Sequence, residues 1–99
     1  MKRFTLHHGE HYLIPATELT EGPDHTLSGP AVDHLGHCED FLELIRKERD
    51  AILSEMERLR ARNQTKSVRF RELFISKLVY ANIEAQLAHC GLSEFTQEP

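Results

Sequence analysis

The chain has 99 residues, of which 39% are hydrophobic and 28% charged, and a formal net charge of −4. That length supports a single small core, the composition is that of a globular chain and not a disordered one, and the acidic balance argues against broad nucleic-acid binding. No apolar run approaches the ~20 residues that span a bilayer, and Thr5, His7, His8, Glu10 and His11 interrupt any signal-like core behind Met1-Lys2-Arg3-Phe4, so the expected address is the cytoplasm with no membrane partner.

The first segment reads Phe4-Thr5-Leu6, His7-His8-Gly9-Glu10-His11, then Tyr12-Leu13-Ile14-Pro15. Two short β-prone runs around a glycine turn predict a hairpin, which is marginal alone and must pack on something. Between Thr17 and Pro30 the turn signals Gly22-Pro23-Asp24 and Ser28-Gly29-Pro30 predict a linker, with a short helical turn near residues 16–19.

A long helix is expected to start at Pro30, where the missing N–H costs nothing, capped by Ser28 or Gly29. Leu35, Leu42, Arg49, Met56 and Asn63 recur every seven residues, and Cys38, Ile45, Ile52 and Leu59 interleave with them. That is a heptad seam running to about Arg62, roughly 50 Å of helix. Phe41, Leu44 and Leu53 widen it, while Glu39, Asp40, Glu43, Arg46, Lys47, Asp50, Glu57 and Arg58 should face water. Arg49 is the one guanidinium in the seam and requires a carboxylate, with Glu72 and Glu84 bracketing the region and neither obviously opposite.

The stretch 63–67 breaks the pattern. Asn63 can end the first helix in a left-handed conformation, and Thr65 or Ser67 can cap a second helix over 68–90, with Gly91 as its terminal residue and Leu92 folding back on Leu87. So short a connection predicts antiparallel neighbours. The second helix is apolar on two sides. One stripe is Leu73, Tyr80, Ile83, Leu87 and Cys90; the other is Phe70, Phe74, Leu78, Ala81, Ala85 and Ala88. The first helix can cover only one of them. The expected fold is therefore mainly α: a helical hairpin over 30–92, preceded by an N-terminal β-hairpin or arm and linker (1–29) and followed by a flexible tail (93–99). The second stripe is the expected dimer interface of a four-helix bundle, with a monomer covered by residues 1–20 as the alternative.

Two features carry candidate chemistry. His34, His37 and Cys38 open the first helix and His89 and Cys90 close the second, so an antiparallel hairpin would bring these nitrogen and sulfur donors to one end; zinc is the ion they would suit, with copper or nickel as chemical alternatives, and His7, His8 and His11 could add to the set. Against a metal, consecutive helical residues diverge by about 100°, and both cysteines fall in apolar stripes where a thiol packs as a small hydrophobe. Two cysteines are also too few for a secreted disulfide framework. The second feature is a basic tip. Residues 58–71 hold Arg58, Arg60, Arg62, Lys66, Arg69 and Arg71 and no acid, a charge cluster that could meet phosphates or an acidic protein surface. Arg69 and Arg71 sit at the wrong end of the second helix for its dipole. No nucleophile elbow, phosphate loop or dinucleotide fingerprint is present. No enzyme is expected. The primary expectation is a small homodimeric interaction or regulatory module, with metal binding and then nucleic-acid association as alternatives.

Overall fold

The computed structural model describes residues 1–92, so the expected tail over 93–99 lies outside the described residues. The chain divides into two compact units, Met1–Asp40 and Phe41–Pro99. The elements are β1 (Leu6–His8), β2 (His11–Leu13), β3 (Thr20–Glu21), β4 (Leu27–Ser28), α1 (Pro30–Ala61) and α2 (Val68–His89). The protein is mainly helical, with a short β region at the N-terminus.

In the first unit, β1 and β2 pair antiparallel in the register Leu6↔Leu13, His7↔Tyr12 and His8↔His11. The two-residue loop has Gly9 at φ +61°, the positive value that the first central position of a II′ hairpin turn requires. The expected linker is replaced by more structure than its composition implied. A single 3₁₀ turn covers Ala16–Glu18, and β3 pairs with β4 in a second antiparallel hairpin, Thr20↔Ser28 and Glu21↔Leu27. Its turn places both Asp24 (φ 55°) and His25 (φ 60°) in the left-handed region, the pattern of a I′ turn, which Asp and His tolerate better than most side chains. The amide of Thr26 donates to Pro23 O (3.2 Å), as does its hydroxyl (2.6 Å), and Gly22 N–H donates to Thr26 O (2.8 Å). These local bonds hold a strand pair too short to show a period-2 signal.

Gly29 joins this hairpin to α1 at φ +140°, and a Cβ built there would overlap the carbonyl oxygen of Glu18. Only glycine combines that backbone angle with that approach. The helix begins at Pro30 as expected, with Asp33 N–H donating to Gly29 O at 3.0 Å and the Asp33 carboxylate in the favourable first turn.

The second unit is an antiparallel helical pair. As α1 is followed backwards from Glu55 to Arg49, the partners on α2 advance from Arg69 to Glu84. The helices end and begin by side-chain and backbone capping. Asn63 is left-handed at φ 57°, and Gln64 N–H donates to Leu59 O (2.8 Å) while Asn63 N–H donates to Arg60 O (3.0 Å); these two bonds make a Schellman end with asparagine in the glycine position. Ser67 then caps α2, its Oγ accepting from Phe70 N–H at 3.1 Å. At the far end Gly91 (φ 83°) gives a second Schellman pair, Leu92 N–H to Leu87 O (2.8 Å) and Gly91 N–H to Ala88 O (3.0 Å).

Between the helices lie Leu42, Ile45, Met56 and Leu73, each 5% exposed or less, with Ile52, Leu59, Tyr80, Ile83 and Leu87 half-buried beside them. The heptad seam of α1 and the first stripe of α2 therefore cover one another. Leu35, expected in that seam, is instead 58% exposed. Arg49 finds its carboxylate: Nη1 donates to Glu84 Oε2 at 2.8 Å, and Nε and Nη2 donate to Asp50 Oδ1 at 3.2 and 3.1 Å. Burial works against the charged guanidinium, but the bonds to Glu84 and Asp50 outweigh it, and the pKa is raised above the ordinary arginine value. Glu84 lies in the stripe facing α1, one residue beyond the apolar position Ile83, so apolar periodicity alone passes over it.

Candidate functional site

The second apolar stripe of α2 starts as a consequence of its composition. A helix with Phe74, Ile75, Leu78 and Val79 in addition to Leu73, Tyr80 and Leu87 has apolar side chains around most of its circumference, and α1 covers only the arc centred on Leu73. What remains is open: Phe74 is 44% exposed, Ile75 59%, Leu78 55% and Val79 52%. These four are consecutive neighbours on the helix surface, related by steps of one, three and four. Ala81, Ala85 and Ala88 are exposed, whereas Phe70 is half-buried, its ring 5.5 Å beneath the Arg60 guanidinium of α1. Phe70 thus sits at the edge between the two faces. Ile75 and Val79 belong to the open face and escaped the sequence reading, which traced one row of residues when the uncovered arc is two rows wide. α1 adds exposed apolar surface in the same unit at Phe41 (49%), Leu44 (50%) and Leu53 (40%).

The basic tip is partly engaged within the helical pair. Arg69 grips Glu55 in a two-pronged contact, Nε to Oε1 and Nη2 to Oε2, both 3.0 Å, and lies 3.6 Å from Glu72. The hydrogen bond from Arg69 lowers the pKa of Glu55, and the Arg69 and Arg58 charges act in the same direction; the same bond raises that of Arg69. Arg60 bonds Glu57 at 3.3 Å as well as covering Phe70. Arg58, Arg62, Lys66 and Arg71 are exposed.

The donors proposed for a metal fall in different units: His34, His37 and Cys38 in the first, His89 and Cys90 in the second. Among the described residues no three His, Cys, Asp or Glu side chains gather as a ligand set. His34 is half-buried with its ring centroid 5.6 Å from that of Phe4; His37 and His89 are exposed. Both cysteines are free and exposed, so the reading of Cys38 and Cys90 as packed core thiols is corrected. Each is a nominal stripe position that stands in solvent.

In the first unit, a mainly apolar groove of ≈ 540 Å³ runs between the β1–β2 hairpin and the start of α1, with Phe4, Ile14, Leu19 and Val32 along it and His34 and Cys38 among its lining. On the strands, the His7 and Tyr12 rings meet tilted, with centroids 5.0 Å apart, and Arg3 lies over Tyr12 at 5.9 Å. None of the described helices is long and apolar enough to cross a membrane. Compared with known proteins, the chain matches no family model, no curated protein and no solved structure.

Proposed function

We propose that this protein is a small homodimeric helical interaction or regulatory module, non-catalytic and cofactor-free, whose dimer surface is the open face of α2. The observation that carries the reading is the cluster Phe74, Ile75, Leu78 and Val79, between 44% and 59% exposed, on a helix whose other face is already covered. Scattered exposed apolar residues are ordinary, but contiguous ones on a single element mark an association surface. The size of the core points the same way. Among the described residues, four buried hydrophobic side chains, Leu42, Ile45, Met56 and Leu73, are a small store of burial for two helices, and helices of this kind owe most of their stability to packing. Pairing two copies through α2 would give four helices around a larger core. The engagement of Arg69 by Glu55 and of Arg60 by Phe70 favours this reading over a basic tip devoted to phosphates. Free, exposed thiols fit a reducing compartment, and the cytoplasm is the proposed setting.

Sedimentation velocity on the full chain under reducing conditions tests the proposal. A dimer across micromolar concentrations is expected, with Leu78→Arg and Ala85→Arg shifting it to monomer or unfolding it. A wild-type chain that is monomeric throughout that range would overturn the reading.

A further inference from the structure

The open face of α2 has an internal symmetry. Starting at the first residue of the helix and moving by alternating steps of three and four, it presents Val68, Arg71, Ile75, Leu78, Asn82 and Ala85, all exposed, with Phe74 and Val79 flanking the centre. This is a second heptad row on the back of the helix. Its polarity reads the same in both directions about the midpoint between Ser76 and Lys77: Ile75 mirrors Leu78, Phe74 mirrors Val79, Arg71 mirrors Asn82, and Val68 mirrors Ala85. A two-fold contact between identical helices requires such self-complementarity, because each residue meets the mirror of its own position.

We infer that two copies of this chain pair through α2 antiparallel, with Ile75 and Leu78 crossing at the two-fold axis and Arg71 donating to the side-chain oxygen of the partner's Asn82 on either side. This rests on the homodimer reading and adds to it an orientation and a register. In this arrangement Phe74 packs on the partner's Val79, and the apolar cluster of each helix covers that of the other in full. The polar pair closes each end. A parallel pairing would set the Asn82 side chains against each other, which is favourable by itself, but it would also stack Arg71 on the partner's Arg71 within the contact. An antiparallel pairing centred on Asn82 would place Leu78 against the partner's Gln86 and Ile75 against the partner's His89, leaving apolar side chains facing polar ones.

Arg71 supports the choice independently. It stands in the first turn of α2, the end whose dipole disfavours a cation, and α2 has no acid in that turn. Its neighbour Arg69 is held by Glu55 and Glu72, whereas no ion pair or hydrogen bond engages the Arg71 guanidinium among the described residues. The antiparallel dimer directs it toward the C-terminal half of the partner's helix and supplies an acceptor. Arg71 and Asn82 are the two polar positions in an otherwise apolar row, and polar positions of that kind set register and orientation at some cost in stability.

The experiment is disulfide trapping in the full chain with Cys38→Ser and Cys90→Ser, itself first shown to be dimeric by sedimentation. Protein carrying Arg71→Cys is mixed with protein carrying Asn82→Cys, allowed to exchange and mildly oxidised. The mixed 71–82 cross-link is expected to dominate, with loss of the 71–71 and 82–82 products. Dominant 71–71 and 82–82 products in a dimeric protein would overturn the antiparallel register and leave the homodimer standing; a monomeric parent would overturn both. Isotope-filtered NMR on a mixture of labelled and unlabelled wild-type chain guards against an effect of the substitutions. Contacts between Ile75 methyls and the partner's Leu78 methyls support the register, and contacts of Ile75 only with the partner's Ile75 overturn it.

Discussion

The two compact units of this chain are held by different means. In Met1–Asp40 the buried hydrophobic side chain is a single small one, Ala31, and the structure depends on backbone geometry: two hairpins with left-handed turn residues, and a glycine pressed against Glu18 O. In the second unit, turns end the helices, and the buried side chains Leu42, Ile45, Met56 and Leu73 do the holding. Backbone-held structure fails when one residue cannot adopt its angle. Side-chain-held structure fails when volume is removed.

That contrast can be broken first at Met56, the most buried large side chain at 1% exposed. Met56→Ala should cost about 2–5 kcal/mol through lost burial and a residual cavity. Hydrogen exchange should show α2 amides losing protection while the β1–β2 amides keep theirs; equal loss in both would mean that the units unfold together. Gly29→Ala attacks the other unit and is expected to cost about 1–3 kcal/mol of backbone strain. Here the β3–β4 amides should lose protection first and the α2 amides should be spared.

The ion pair inside the helical seam sharpens the picture of the second unit. Arg49→Met leaves Glu84, whose Oε1 is already buried without a hydrogen bond, with no cation. Because both side chains keep about a quarter of their exposure (27% and 22%), the loss should be about 1–3 kcal/mol, below that of a fully buried pair. Adding Glu84→Leu should recover most of it in chemical denaturation, and failure to recover would show that the pair does more than fill the seam.

The smallest effect is expected at the exposed Glu55–Arg69 pair. The folded-state pKa of Glu55 is depressed, so its contribution is present at pH values above the ordinary glutamate range and is lost as pH falls through the folded-state value. NMR titration should find Glu55 ionising below the usual glutamate value, and Arg69→Gln should return it there with little change in stability at neutral pH.

Much of the helical pair was legible in the residues because its determinants are local. Pro30, Asn63, Ser67 and Gly91 act on the backbone within a few positions of themselves, and the heptad spacing of Leu42, Ile45, Ile52, Met56 and Leu59 fixes which side of α1 is apolar. The β1–β2 hairpin followed from its glycine turn in the same way. The β3–β4 hairpin did not, because strands of two residues carry no periodicity and the I′ turn uses Asp24 and His25 in place of the usual Asn-Gly.

At the candidate site, composition and spacing already require that α2 has more apolar surface than one neighbour can cover. Where that surface lies follows from which arc of α2 is left exposed once the chain is folded. Hydrophobic spacing gives faces but not their partners, so it could not say that Phe70 turns toward Arg60, that Ile75 and Val79 are left open, or that Glu84 reaches Arg49. Nor could it place Cys38 and Cys90 in solvent, because a spacing pattern marks a side of a helix and not what covers it. Those outcomes depend on how two helices divide their surfaces, a property of the pair and not of either strand of sequence.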